Sequence, residues 1–259
     1  MALTGLSRQI GGMSEAAFIT RRHCLALGAG LGVSLMAGQP KAAPPIDVVV
    51  ELFSSQGCNS CPPGDRLLSE LCGKPGVLAL TFHVDYWDYL GWKDTLAGPD
   101  FSQRQYDYAK ARGDMDVYTP QMIVNGEQQM VGSQRSEVMT VLEQSRRPGW
   151  PVAVTIADRG RELAIEVGAG AGEATLWVMS ILDHVDVKIE KGEMAGREVV
   201  YSNVVRKLVP AAMWTGAATR VSLPKDALMT PDATGFVALL QSAKVGPVLG
   251  AAAWGRVTS

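Results

Sequence analysis

The chain has 259 residues, a formal net charge of −2, 47% hydrophobic and 19% charged residues. That profile is globular: it excludes bulk disorder and offers no clustered basic surface for nucleic acid. The first 43 residues hold Arg8, Arg21, Arg22 and Lys41 against Glu15 alone, so the remainder is mildly acidic.

Residues 1–43 read as an export signal. A basic pair is followed by an apolar stretch of about 13 residues, Leu25 to Ala37, and then by small residues, the order of a cleaved leader. The stretch is too short and too rich in glycine to cross a bilayer. Thr20-Arg21-Arg22 with Leu25 resembles a twin-arginine signal, although Cys24 stands where that pattern has phenylalanine. Met13 is a candidate start, and cleavage is expected near Ala42 or Ala43. The mature protein is therefore expected in the periplasm or outside the cell, with no membrane span.

Beyond the leader, "IDVVVELF" is a buried strand over Ile46–Phe53. "DRLLSEL" puts Leu67, Leu68 and Leu71 on one helical face, and Gly73 to Gly76 ends that helix. "VLALTFHV" is a second buried strand, Val77–Val84. The aromatic segment "DYWDYLGWKD" follows without clean periodicity. A helix over "PDFSQRQYDYAKAR" has Phe101, Gln105, Tyr108 and Ala109 on one face. "YTPQMIVNGEQQMVGS" is a β-hairpin turning at Asn125-Gly126. "SQRSEVMTVLEQSRR" closes the unit as a helix, with Ser133 expected as N-cap and Val138, Val141 and Leu142 inward. Pro148 to Pro151 reads as a linker. Short alternating runs follow, beginning with a hairpin turning at Asp158–Arg161, and suggest an antiparallel sheet or β-sandwich over 148–259.

The chemistry-bearing motif is "LFSSQGCNSCPPGDRLLSEL". Cys58 and Cys61 form a C-x-x-C where the first strand runs into the first helix. This spacing serves a redox dithiol, half a metal site, or a structural disulfide. At a helix mouth the dipole and free backbone N–H groups favour thiolate, the reactive form. Cys58, nearer the strand, is the expected nucleophile, and Cys61 the resolving thiol. Pro62 and Pro63 fit a first helical turn. Cys24 would leave with the leader, and Cys72 reads as a buried small hydrophobe.

The strand–helix–strand–helix–strand–strand–helix order, with the cysteines at that junction, resembles the thioredoxin fold over about 46–146. The expected fold is thus an α/β thioredoxin-like domain, βαβαββα, over 44–147, followed by an antiparallel β-rich domain. The resemblance implies a cis Pro120 facing the dithiol, a Thr119 backbone that pairs with an extended client, and a buried acid before the first cysteine. Glu51 is the candidate for that acid, as proton shuttle for Cys61, although it lies seven rather than six residues ahead of Cys58. The segments "ELFSSQGCNSCPPGDRLL", "FHVDYWDYLGWKD", "YTPQMIVNG", "KIEKGEMAGREVVYSNVVRKL" and "VGPVLGAAAW" together resemble a family of secreted bacterial thioredoxin-like proteins of unassigned function.

Asp85, Tyr86, Trp87 and Trp92 lie where loops beyond strand ends form binding crevices, and are candidate substrate-binding residues. The alternative for this segment is a packed loop, and His83 reads as a core histidine. No metal and no cofactor are expected. The function expected is thiol–disulfide exchange on a protein or small-molecule thiol or disulfide. The alternatives are a non-catalytic envelope binding or structural protein and, less favoured, a Cu(I)-handling protein, since two soft thiolates suit that ion.

Overall fold

A computed structural model describes residues 45–257, so the export-signal expectation and Cys24 lie outside the described residues. The elements in chain order are β1 (Val48–Ser54), α1 (Pro62–Cys72), β2 (Val77–His83), α2 (Pro99–Arg112), β3 (Gln121–Val124), β4 (Gln128–Val131), α3 (Arg135–Ser145), β5 (Val154–Asp158), β6 (Glu162–Val167), β7 (Ala174–Lys188), β8 (Glu198–Trp214), β9 (Thr219–Pro224), β10 (Gly235–Ser242) and β11 (Val248–Gly255).

The local readings rest on firm chemistry. Every residue of β1 and β2 is buried, as continuous apolar runs require when both faces of a sheet are covered. Helix α1 starts at the two prolines and buries Leu67, Leu68 and Leu71. Asn125 and Gly126 both take left-handed backbone at the β3–β4 turn. Asn125 does more than turn the chain: its Oδ1 accepts the Val49 N–H at 2.8 Å and its Nδ2 donates to the Ser145 carbonyl at 2.8 Å. The N-cap of α3 is Gln134 rather than Ser133.

The expected fold class is overturned. There is no βαβαββα thioredoxin-like domain followed by a separate β-rich domain. The chain is mostly β: one mixed eight-stranded sheet runs β11-β10-β7-β8-β2-β1-β3-β4, with three α-helices among the described residues. A three-stranded sheet, β5-β6-β9, packs beside it. The join is between β2 and β8, which run parallel with Thr81 opposite Val204. Side chains weld it: Thr81 Oγ1 donates to the Ser202 carbonyl at 2.8 Å, and Asn203 Nδ2 donates to the Ala79 carbonyl at 2.9 Å. One hydrophobic core crosses the join, with Val49, Phe53 and Phe82 packed in a cluster with Trp177, Met179 and Val237. Strands β7 and β8 fall where alternating runs were expected but are 15 and 17 residues long rather than short. They carry the second half of the chain back onto the first, so the Pro148–Pro151 segment divides no core.

The two faces of β1 and β2 have different neighbours. Val48, Val50, Leu52, Val77 and Ala79 pack with α1 and α3. Val49, Phe53, Leu78, Leu80 and Phe82 pack with Phe101 and Tyr108 of α2. By strand alternation Ser54 and His83 belong to the first face and Glu51 to the second.

Candidate functional site

Cys58 and Cys61 are joined by a disulfide with Cα atoms 5.4 Å apart. Cys61 is the N-cap of α1, in helical backbone, and its carbonyl accepts the N–H groups of Gly64 and Asp65. Cys61 is fully buried and Cys58 is 4% exposed, while Asn59 and Ser60 between them are exposed. Of the two, Cys58 is the one nearer solvent. The Thr119–Pro120 peptide bond is cis. The Thr119 carbonyl oxygen lies 3.7 Å from Cys58 Sγ and accepts the Ser60 hydroxyl at 3.4 Å. This close approach depends on two glycines: a Cβ on Gly64 would stand 3.0 Å from Pro120 Cβ, and one on Gly57 would stand 2.9 Å from Trp87 Cβ.

The aromatic segment supplies one flank. Trp87 Nε1 donates to Thr119 Oγ1 at 2.8 Å, fixing the indole beside the disulfide. Tyr86, Trp87, Tyr89 and Tyr106 form a chain of ring contacts with centroids 5.9 to 6.4 Å apart. Tyr89 is 77% exposed. The other candidates turn to structural partners. Trp92 Nε1 donates to Gln56 Oε1 at 2.8 Å, and Asp85 Oδ1 accepts the Ser102 hydroxyl at 2.5 Å. Tyr86 donates to Gln105 Oε1, and burial pushes its phenol above the usual range.

Glu51 is not brought to the cysteines. It lies on the α2 face of the sheet, where Arg104 Nε and Nη2 hold its two oxygens at 2.6 and 2.9 Å. Tyr108 donates to the same carboxylate at 2.7 Å, and Arg104 also donates to Gln241 Oε1 of β10 at 2.6 Å. Burial works against the Arg104 charge, but the adjacent Glu51 outweighs it and the guanidinium is held above its ordinary value. The offset of one residue in the sequence explains the placement, because a shift of one along a strand moves a side chain to the opposite face.

A buried acid does sit on the α1 face, and sequence reasoning missed it. Asp65 is 3% exposed, and its Oδ1 accepts the Ser54 hydroxyl at 2.6 Å. Its Oδ2 has no partner. Burial, with the negative Asp94 nearby, pushes its carboxyl up to about 7, against the opposing pull of Ser54, His83 and Arg66. Beside it stands His83, whose Nδ1–H donates to Asp94 Oδ2 at 2.8 Å and whose Nε2 is also without a partner. Asp94 further accepts the N–H groups of Gln56 and Leu96. Burial disfavours its charge, but His83 and these donors hold its carboxyl below the usual range. Tyr201 of β8 closes the set, its ring edge-on to His83 with centroids 4.4 Å apart. The one sequence signal was Asp65 at four residues past Cys61, which reads more simply as a favourable acid in a first helical turn.

Among the described residues, no group of three or more His, Cys, Asp or Glu is placed to hold a metal ion, and no helix is long and apolar enough to cross a membrane.

Residues 49–241 match the family described as "Protein of unknown function (DUF1223)". A crystal structure of a protein from Agrobacterium tumefaciens is similar, with 35% identity over 82% of this chain and 95% of that one and a TM-score of 0.72. HBP35 of Porphyromonas gingivalis shares the fold at 12% identity, covering 83% of this chain and 76% of its own, with a TM-score of 0.56. No curated protein matches the chain.

Proposed function

We propose that this chain, which belongs to the DUF1223 family of unknown function, is an exported thiol–disulfide oxidoreductase with Cys58 as nucleophile and Cys61 as resolving thiol. The observation that supports this most is the placement of the disulfide. It bridges the mouth of α1, Cys58 is the less buried of its two residues, and the Thr119 carbonyl stands 3.7 Å from Cys58 Sγ. A thiolate released at Cys58 would sit at a helix N-terminus, where backbone N–H groups and the dipole stabilise it. Thr119 offers backbone to an extended client; the half-buried Trp87 flanks it, and its ring-contact chain extends to the exposed Tyr89 and, through Tyr86, to the exposed Tyr106. The client is a protein or small-molecule thiol or disulfide. An oxidising compartment, reached through the expected leader, is the setting in which such a pair cycles.

The test is trapping. In Cys61→Ser the resolving thiol is gone, so clients are expected to accumulate as mixed disulfides on Cys58 that reductant releases. A Cys61→Ser protein that captures nothing under conditions where the wild type exchanges thiols would sink the reading. One observation favours a second reading, a structural bridge on a non-catalytic binding protein: the disulfide as a whole is nearly buried. That reading expects Cys58→Ser to retain activity in cells.

A further inference from the structure

We propose that the groove between α1 and the start of β8 binds an extended acidic segment of a partner protein, laid against β8 as an added strand. The proposal goes beyond the dithiol reading and does not require it. The groove is a cavity of about 710 Å³. One wall is the outer side of α1, from Pro62 through Arg66 to Glu70, and the other is β8 from Arg197 to Val200. The walls meet where Ser202 Oγ donates to Ser69 Oγ at 2.9 Å. From Pro62 to Glu70 the helix rises about 12 Å, the span of about four residues of extended chain.

The backbone of β8 carries the argument. The strand pairs with β7 from Glu198 onward but meets β2 only where Val204 stands opposite Thr81. Its other edge is therefore open over Glu198–Tyr201. Alternation decides which groups that edge presents. The Arg197 carbonyl accepts the Ile189 N–H at 2.9 Å, on the β7 side. The Ser202 carbonyl accepts Thr81 Oγ1 at 2.8 Å, on the opposite side. Glu198 and Val200 share the parity of Ser202, so their N–H and C=O groups point away from β7. Val200 is 51% exposed, and among the described residues no strand, turn or side chain supplies a partner for its backbone. Unpaired strand edges are templates for strand addition, and proteins blunt them with proline or lysine. Here the edge carries valine at 199 and 200. Charge sets the character of the occupant. Arg66 and Arg197 are exposed and enter no salt bridge among the described residues. Glu70 is already paired, to Arg135 at 2.7 Å, which leaves Glu198 as the one unpaired acid of the groove. Two free guanidinium groups against one carboxylate make this groove locally positive on a chain of net charge −2. A strand bearing acidic side chains on one face would bond to Val200 through its backbone and to the two arginines through its carboxylates.

The test titrates two capped heptapeptides, one alternating threonine with glutamate and one alternating threonine with lysine, into the isotopically labelled full chain. The glutamate peptide is expected to bind saturably, to move the amide signals of Glu198 and Val200, and to slow hydrogen exchange at the Val200 N–H. The lysine peptide is expected to bind at least about tenfold more weakly. Val200→Pro removes an N–H that points away from β7, the one kind of strand position where proline is tolerated. It is expected to keep the wild-type thermal transition within a few degrees and to weaken the glutamate peptide at least about tenfold. Arg66→Glu combined with Arg197→Glu is expected to reverse the preference between the two peptides. A glutamate peptide that gives no saturable shift at Val200 would overturn the proposal, as would Val200→Pro binding it like the wild type. Should Val200→Pro fail to fold, an unchanged peptide preference in the doubly reversed protein overturns it equally. None of these readouts involves the cysteines, so the dithiol reading stands or falls separately.

Discussion

Two buried carboxyl clusters flank the same strand β1 and are built on opposite plans. On the α2 face, Glu51 is saturated: Arg104 holds both oxygens and Tyr108 donates to one of them. On the α1 face, Asp65 keeps one oxygen unpartnered beside an unpartnered His83 nitrogen. The first cluster ties α2, β1 and β10 together through the Arg104–Glu51 pair and hydrogen bonds to Gln241, with Arg104 Nη1 its one unpartnered atom. The second places a carboxyl that changes protonation near neutrality one helical turn behind Cys61. The difference separates a carboxylate whose two oxygens are both bonded from one with an oxygen left open, and it can be tested site by site.

The largest effect is expected at Glu51. Glu51→Gln leaves Arg104 buried without its counter-charge, at a cost of about 3–5 kcal/mol in denaturant unfolding. Exchange at the disulfide in the folded fraction should be unchanged. A loss below about 1 kcal/mol would show that the pair does not anchor the core.

Asp65→Asn should act in the opposite direction. The unfolded carboxyl ionises at 3.8 and the native one at about 7, so between those values the native state binds more protons. The stability this carboxyl confers is therefore full below 3.8 and is lost as pH rises through about 7. The loss amounts to as much as about 4 kcal/mol. Stability of Asp65→Asn should accordingly fall less than that of the wild type over this range. Parallel pH profiles for the two proteins would place the Asp65 ionisation outside it.

Much of this contrast is invisible in sequence, for identifiable reasons. The β3–β4 turn was legible because Asn125-Gly126 has a specific backbone demand, and α1 was legible from its leucine spacing and paired prolines. The continuous sheet was not. It depends on β8 meeting β2 near Thr81 and Val204, a contact 123 residues apart that no local period encodes. Both faces of β1 are apolar, so alternation alone does not say which face meets α1, and Glu51 reads as well for one side as for the other. Asp65 looks like an ordinary first-turn acid until Ser54, His83 and Tyr201 close over it. The C-x-x-C was legible because its spacing and its place at the helix mouth are local.

A smaller effect is expected at Trp87. Trp87→Phe removes the indole N–H bond to Thr119 and should cost about 1 kcal/mol, with the disulfide still reducible. Loss of reducibility would mean that the indole holds the disulfide loop itself. The smallest effect belongs to Cys72. It is 2% exposed, and burial pushes its thiol up to about 12. An alkylating reagent should leave it unlabelled in the native oxidised protein and label it once on unfolding. Rapid native labelling would show that the α1–β2 core opens readily.

The central claim is that Cys58–Cys61 cycles between disulfide and dithiol. An equilibrium titration of the pair against a glutathione or dithiothreitol couple reads this directly. The expected result is a reversible two-electron transition in the range of known exchange catalysts, roughly −270 to −120 mV. A potential well below about −300 mV would contradict the account and make the bridge structural.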